Sequence, residues 1–370
     1  MNVIDTIELK SALERLCLVV PKRGTLPVLE NLRWRVVKGR LDLTATDLDN
    51  SLIIPVPSPA PPISDVDVLV PARELYQALK TEIVPTVEIK IHDNKFEVHA
   101  NNRMVALPCA EPKNFPRIPE GELSVRGKML CSALEAALNK ALFCLSTESS
   151  RYCTDTIRLE MRESGFRIVG TDGHRLSVVE GAAKNGAKSE FSTLLLRSTA
   201  SILSKLSGES TWVKLSTCAA EHEHNLFWLS DDSMLIARPG QGQFPNYDKV
   251  MPKAPLESRV VFQREELPDG LTKLAPTAKK SPSSLVKLEL SKSPACIKAE
   301  HDGTANRVAL EHTRILGKAR DIGFNHQYLT QYVKSLETDS ISMKLFPKGM
   351  SEAALFDSFR YQHLLMPLRD

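Results

Sequence analysis

One pattern recurs three times along the 370 residues, in VPARELYQALKTEIVPTVEIKI, LLRSTASILSKLSGESTWVKLS and GFNHQYLTQYVKSLETDSISMKLF. Leu75, Ile202 and Leu329 stand 127 residues apart in both intervals. The β-branched residues Val87, Val213 and Ile341 follow at nearly the same interval, after a short polar or Pro-containing connection. Apolar residues at helical spacing, then alternation at spacing two, predict an amphipathic helix running into a strand. A fixed period of this kind implies one fold unit used three times. Length agrees, since 370 residues exceed what one hydrophobic core usually supports.

A second feature keeps nearly the same period. GRLDLTATDLDNSL and GFRIVGTDGHRLSV each read as an alternating strand closed by a Thr-Asp turn, with Asp47 and Asp172 125 residues apart; the third copy, ACIKAEHDGTANRV, has Asp302 130 further on and lacks the threonine. Asn114-Phe115-Pro116 and Gln243-Phe244-Pro245 open Pro-rich connectors in which a helix cannot continue. They set expected domains at 1–122, 123–254 and 255–370. A further Pro-rich stretch, Pro55 to Pro62, reads as an extended loop between strands. Each unit is expected to open with a helix. In the first, Ala12, Leu13, Leu16, Cys17 and Val20 face inward and Lys10, Glu14 and Arg15 outward; in the second, leucines at 130, 134, 138 and 142 and alanines at 133, 137 and 141 form one stripe. In the third, Pro268 and Pro276 predict a short or broken helix. The fold class is therefore α+β, with two helices on one face of antiparallel sheet in each domain.

Composition narrows function mainly by exclusion. With 48 basic against 45 acidic residues, net charge is only +3, so any contact with nucleic acid is local and weak overall. The seven cysteines form no C-x-x-C pair and read as reduced, mostly buried small hydrophobes. No leader pattern or long apolar run occurs, which gives a cytoplasmic expectation. Asp172-Gly173-His174 lacks a nucleophile in elbow context. Glu221-His222-Glu223-His224 lacks the H-E-x-x-H spacing of a zinc helix and reads as a solvated hairpin. Gly121 to Met129 fails the phosphate-loop pattern in both spacing and final residue. No catalysis, metal or cofactor is expected.

The segments TLPVLENLRW, LTATDLDNSL, NFPRIP, SSRYCTDTIRLEM, TDGHRLSV, QFPNYDKVMP, IGFNHQYL and LLMPLRD, in that order, resemble the bacterial DNA polymerase III beta subunit, the DNA sliding clamp family, over essentially the whole chain. The resemblance implies a head-to-tail homodimer of three-domain subunits forming a six-domain ring around duplex DNA, helices inside and sheets outside. It implies a processivity factor that binds DNA without sequence preference. Partners would be the DNA polymerase III alpha subunit, the clamp loader, and other polymerases and repair proteins carrying short linear motifs. DNA-facing candidates are Lys10, Arg15, Arg73, Lys80, Lys140, Arg197, Lys205 and Lys334 on helices, with Lys22, Arg23, Arg151 and Tyr152 in loops. Residues matching the family's peptide pocket are Thr171, Gly173, His174, Arg175, Leu176, Pro245, Lys249, Val250, Asn325, Tyr328, Leu364, Leu365, Met366, Pro367, Leu368 and Arg369. The chain departs from the family at Lys249, where Arg is common, at Thr154, where an apolar residue is common, and at the terminal Asp370. Competing readings are a toroidal partner-binding scaffold without productive DNA loading, and a metal-dependent hydrolase built on Asp172, His174 and the Glu221 to His224 region.

Overall fold

A strand precedes the first helix of every repeat. The first repeat runs β1 (Asn2–Asp5), α1 (Thr6–Leu16), β2 (Asn31–Val37), β3 (Arg40–Thr46), β4 (Asn50–Val56), β5 (Val66–Pro71), α2 (Ala72–Lys80), β6 (Thr86–His92), β7 (Lys95–Ala100) and β8 (Arg103–Pro108). The second continues with β9 (Glu122–Leu130), α3 (Cys131–Leu142), β10 (Thr156–Arg162), β11 (Gly165–Thr171), β12 (Arg175–Gly181), the two-residue β13 (Ala183–Lys184), β14 (Phe191–Leu196), α4 (Arg197–Leu206), β15 (Trp212–Ala219), β16 (Glu223–Trp228) and β17 (Met234–Ala237). The third comprises β18 (Ser258–Gln263), α5 (Glu266–Ala278), β19 (Leu285–Glu289), β20 (Ala295–His301), β21 (Thr304–Leu310), β22 (Arg314–Gly317), β23 (Ile322–Asn325), α6 (His326–Lys334), β24 (Ser340–Leu345), β25 (Ala354–Ser358) and β26 (Tyr361–Leu365). This computed structural model describes residues 2–23, 26–57, 65–147, 154–184, 190–206, 211–219, 223–229, 231–347 and 352–368.

Strand order is the same in all three repeats. Each contributes two four-stranded antiparallel sheets: β4-β3-β2-β5 with β1-β6-β7-β8, β12-β11-β10-β14 with β9-β15-β16-β17, and β21-β20-β19-β23 with β18-β24-β25-β26. Two edge-to-edge joints merge four of these sheets into two nine-stranded ones. β17 pairs with β4 from Met234↔Ile53 to Ala237↔Asn50, and β26 pairs with β12 from Leu365↔Arg175 to Tyr361↔Val179. β13 and β22 add a ninth strand beside β9 and β18. The first-repeat strand equivalent to β17 and β26 is β8, and the third-repeat strand equivalent to β4 and β12 is β21. Each ends its four-stranded sheet.

The chain divides into two compact units, one of residues 1–135, 183–189 and 198–239, the other of 136–182, 190–197 and 240–370. Each unit holds one joint, formed between one whole repeat and part of the second. The core of the first has Leu9, Leu13 and Leu16 of α1 and Leu75 and Leu79 of α2 fully buried, with Trp34 set edge-on to Phe96 at 4.8 Å between ring centroids. That of the second has Leu267, Leu271 and Leu274 of α5 and Leu329 and Tyr332 of α6 with Phe262, Phe324 and Phe356. Each such side chain contributes about 1.5–3 kcal/mol by leaving water. The residues marking the repeat behave alike: Leu75, Ile202 and Leu329 are all buried, as are Val87, Val213 and Ile341.

Two details correct the sequence expectations. α5 is unbroken, with 13 residues from Glu266 to Ala278. Pro268 sits in its first turn, where amides have no intrahelical acceptor, and Pro276 lies two residues before the end, so only one internal hydrogen bond is lost. Pro55 belongs to β4 rather than to a loop, while residues 58–64 of the Pro-rich stretch lie outside the described residues. The two Phe-Pro connectors pack on sheet faces. Ile118 lies against Cys218, Leu226 and Ile236, and Phe244 and Tyr247 join Val169, Leu176, Val178, Leu355 and Leu364.

Candidate functional site

The Thr-Asp turns share one hydrogen-bond scheme. Thr46 donates its hydroxyl to the Asn50 carbonyl at 3.0 Å, and the Asp47 carboxylate accepts from the Asp49 and Asn50 amides. In the second copy Thr171 donates to the Arg175 carbonyl at 2.7 Å, and Asp172 accepts from the His174 and Arg175 amides at 2.9 and 3.0 Å. Each turn needs one left-handed residue, Leu48 at φ 80° and Gly173 at φ 89°. Glycine takes that conformation without strain, leaving the 171–175 turn relaxed and His174 exposed at its tip. The third copy is a two-residue Asp302-Gly303 hairpin turn with both φ positive, which does not use the missing threonine.

Arg175 ties this turn to α6. Its Nε donates to Asp172 at 2.9 Å, its guanidinium donates to the Gln331 side chain and the Phe143 carbonyl, and its Cζ lies 4.1 Å from the Tyr328 ring centroid. The Tyr328 ring in turn stacks on His174, centroids 6.5 Å apart. At 7% exposure Arg175 has its donors committed inside the protein, so it shapes the surface rather than presenting charge on it. Asn325 caps α6, its side-chain oxygen accepting from the Gln327 and Tyr328 amides.

The tail runs beside the turn. The Met366 amide donates to the His174 carbonyl at 2.9 Å, and the Leu368 amide to the Gly323 carbonyl at 2.9 Å. Thr171 to Leu176, Asn325 to Tyr328 and Leu364 to Leu368 therefore converge within the second unit. Strand alternation splits them between two faces. Leu364 pairs with Leu176 in the cluster roofed by Phe244 and Tyr247, whereas Leu365 pairs with Arg175 on the helix-facing side and is fully buried. Leu365 is thus a core residue, which corrects its assignment to a groove wall. Met366 is 43% exposed and Val250 55%. Connector geometry is set by the Tyr247 hydroxyl, which donates to buried Glu160 at 2.9 Å and accepts from Arg167 at 3.1 Å. Pro245, Lys249 and Val250 hang from this anchor, Lys249 and Val250 exposed. The Thr154 carbonyl accepts from the Ser146 amide at 2.8 Å, and Arg369 and Asp370 lie outside the described residues.

Sequence reasoning missed the layer beneath. Gln331, Phe143, Cys144 and His363 support Arg175 and Tyr332; the His363 ring stacks on Tyr332 at 4.5 Å, and Cys144 lies 3.9 Å from its Nδ1. No motif marks them, because they gather only when β26 joins β12. Burial, with Arg175 second, depresses the His363 pKa to about 3.

The cationic candidates divide. Arg15 is ion-paired with Asp231 and only 12% exposed, and Arg73 donates to the Val20 carbonyl at 2.6 Å behind α1. Arg197 donates to the Ser146 carbonyl at 2.8 Å, Lys10 to the Glu82 carbonyl at 3.0 Å, and the Lys140 ammonium sits 5.4 Å from the Tyr361 ring centroid. The expectation that Lys10 and Arg15 simply face solvent is corrected by these partners. Lys22, Arg23, Lys80, Arg197, Lys205 and Lys334 are exposed, and Arg151 and Tyr152 lie outside the described residues. Among the described residues no cluster of His, Cys, Asp or Glu has metal-binding geometry, and no helix is long and apolar enough to cross a membrane. His224 lies on β16, and Glu221 and His222 are outside the described residues.

Residues 2–119 match the N-terminal domain of the DNA polymerase III beta subunit. The beta sliding clamp of Pseudomonas putida is 26% identical over 98% of this chain and 99% of its own length. A crystal structure of a sliding clamp from Pseudomonas aeruginosa, bound to griselimycin, superposes with a TM-score of 0.88 at 25% identity and covers 100% of this chain and 99% of that one. The clamp of Bacillus subtilis, at 17% identity, shares the fold with a TM-score of 0.88, covering 100% of this chain and 98% of that one.

Proposed function

Since this chain belongs to the bacterial DNA polymerase III beta-subunit family of DNA sliding clamps, we propose that two copies of it close head to tail into a ring that holds duplex DNA topologically and tethers polymerases to it. The carrying observation is the pair of unmatched edges. β17 joins β4 and β26 joins β12, while their counterparts β8 and β21 stand at opposite ends of the same scheme. Pairing β8 of one copy with β21 of another repeats the internal joint, and doing so twice gives six joints and leaves none of these joining strands unpaired, a heterologous contact that closes. The division 1–122, 123–254 and 255–370 belongs to the same proposal, because it assigns one full set of two sheets and two helices to each domain.

Within the ring, the helices meet DNA through exposed Lys80, Arg197, Lys205 and Lys334, with Lys22 and Arg23 in a loop, while Arg15 and Arg73 hold the protein together. Few free cations suit sliding, which requires weak phosphate contacts without base readout. Linear motifs of the polymerase alpha subunit, the clamp loader and repair proteins dock where Pro245, Val250 and Met366 offer apolar surface over the buried Leu176 and Leu364, and His174, Tyr328 and Asn325 offer polar contacts. The chain works without catalysis or a cofactor, in the cytoplasm. The deciding experiment loads the protein onto nicked circular plasmid with a matched loader. Retention on the circle and release on linearisation is the expected result, and equal retention on linear DNA rules out encirclement.

A further inference from the structure

Three lysines lie side by side on one face of the nine-stranded sheet of the first unit. Lys184 of β13 is directly opposite Lys128 of β9, and Lys128 is directly opposite Lys214 of β15. Opposed residues on antiparallel strands project from the same face, with strands about 4.8 Å apart, and like charges so placed repel. All three are exposed, and among the described residues none has a carboxylate within ion-pair distance. Two tryptophans complete the row. The ammonium groups of Lys128 and Lys184 lie 5.8 and 5.7 Å from the Trp212 ring centroid, and that of Lys214 lies 4.8 Å from Trp228, its opposite residue on β16.

The row is peculiar to the second repeat. At the same register position the first repeat sets Val3 against Glu88, and the third sets Val261 against Ser342. On the other nine-stranded sheet, adjacent strands alternate sign instead, with Glu160 opposite Arg167 and Arg167 opposite Glu180. Nothing in strand pairing or core packing demands three cations at these positions, since all three side chains leave the core.

We propose that Lys184, Lys128 and Lys214, backed by Trp212 and Trp228, form a docking surface for an acidic peptide segment of a partner protein. Carboxylates supply the missing counter-charge. An extended segment with acidic residues at alternate positions spaces them about 7 Å apart on one side, within reach of flexible lysine stems set along such a row. Single-stranded nucleic acid fits less well, because base stacking needs bare aromatic faces and these rings are already occupied by ammonium groups. The surface is independent of the peptide pocket, which lies in the other unit.

The test is a tryptophan-fluorescence titration of the full chain at low ionic strength with two probes, hexaglutamate and a dT12 oligonucleotide. Of the three tryptophans only Trp212 and Trp228 are partly exposed, Trp34 being fully buried, so an emission change reports this face. Hexaglutamate is expected to shift emission, and Lys128→Gln with Lys214→Gln to weaken its binding about tenfold. The paired Arg substitutions retain binding, and the Gln pair, relieved of repulsion, unfolds at the same or a higher temperature. The proposal is overturned if hexaglutamate leaves emission unchanged, if the Gln pair binds it as tightly, or if dT12 binds more tightly through the same lysines, which would make the ligand nucleic acid.

Discussion

His363 lies wholly inside the second unit. It is fully buried against Tyr332, and burial followed by the Arg175 charge lowers its pKa from 6.5 to about 3. In the unfolded chain the ring protonates near pH 6.5, so between that value and about 3 the unfolded state holds the extra proton and stability falls as pH falls. The slope reaches at most about 1.4 kcal/mol per pH unit. His363→Phe keeps a ring on Tyr332 and removes the titration, so its denaturation midpoint is expected to drop less between pH 7 and pH 5 than that of the parent. Parallel losses in both proteins would refute this. Two tail neighbours separate in the same way. Leu365→Ala opens a cavity and costs about 2–5 kcal/mol in denaturant unfolding, whereas Met366→Ala changes stability by no more than about 0.5 kcal/mol and weakens binding of a polymerase-motif peptide. Comparable destabilisation by the two would return Leu365 to the groove. Strand pairing decides this split, and sequence could not, since LLMPL reads as one apolar run whose inward and outward members depend on the register with β12.

Periodicity exposed the amphipathic elements and hid those whose neighbours do the burying. α2, α4 and α6 were legible because each keeps apolar residues on one stripe, down to the equivalence of Leu75, Ile202 and Leu329. β1 has only four residues, and β9 shifts register opposite Leu215–Ser216 and is mostly exposed along its first half, so neither alternates clearly. α5 was misjudged because a proline count ignores position within the helix. The joints were illegible for a different reason: alternation tells which side of a strand is buried but not which strand lies beside it. One close approach can be tested directly. A Cβ on Gly170 of β11 would lie 2.7 Å from the Ala141 carbonyl oxygen of α3, backbone against backbone. Gly170→Ala should therefore force the helix off the sheet and cost about 1–3 kcal/mol in denaturant unfolding, although alanine suits a strand better than glycine. An unchanged midpoint would show that helix and sheet are not held this tightly.

At the scale of the assembly, the prediction that matters is which edge closes the ring. The Asn101-Asn102 turn joins β7 to β8 with Ala100 opposite Arg103, so hydrogen-bonded pairs fall at Arg103, Val105 and Leu107, and the amides of Met104 and Ala106 point away from β7. Those outward amides are what a second copy's β21 would use, as β4 and β17 use theirs inside the chain. Proline is tolerated on an edge strand where its missing amide faces outward, and it removes a donor from any strand added there. Ala106→Pro should leave the subunit folded, with a thermal midpoint close to the parent's, while sedimentation at micromolar concentration changes from dimer to monomer. Retention on circular plasmid should fall with it, because an open chain cannot hold DNA topologically. A dimer as stable as the parent's would mean that the subunits meet elsewhere, and the correspondence of β8 with β17 and β26 would then describe ancestry rather than assembly.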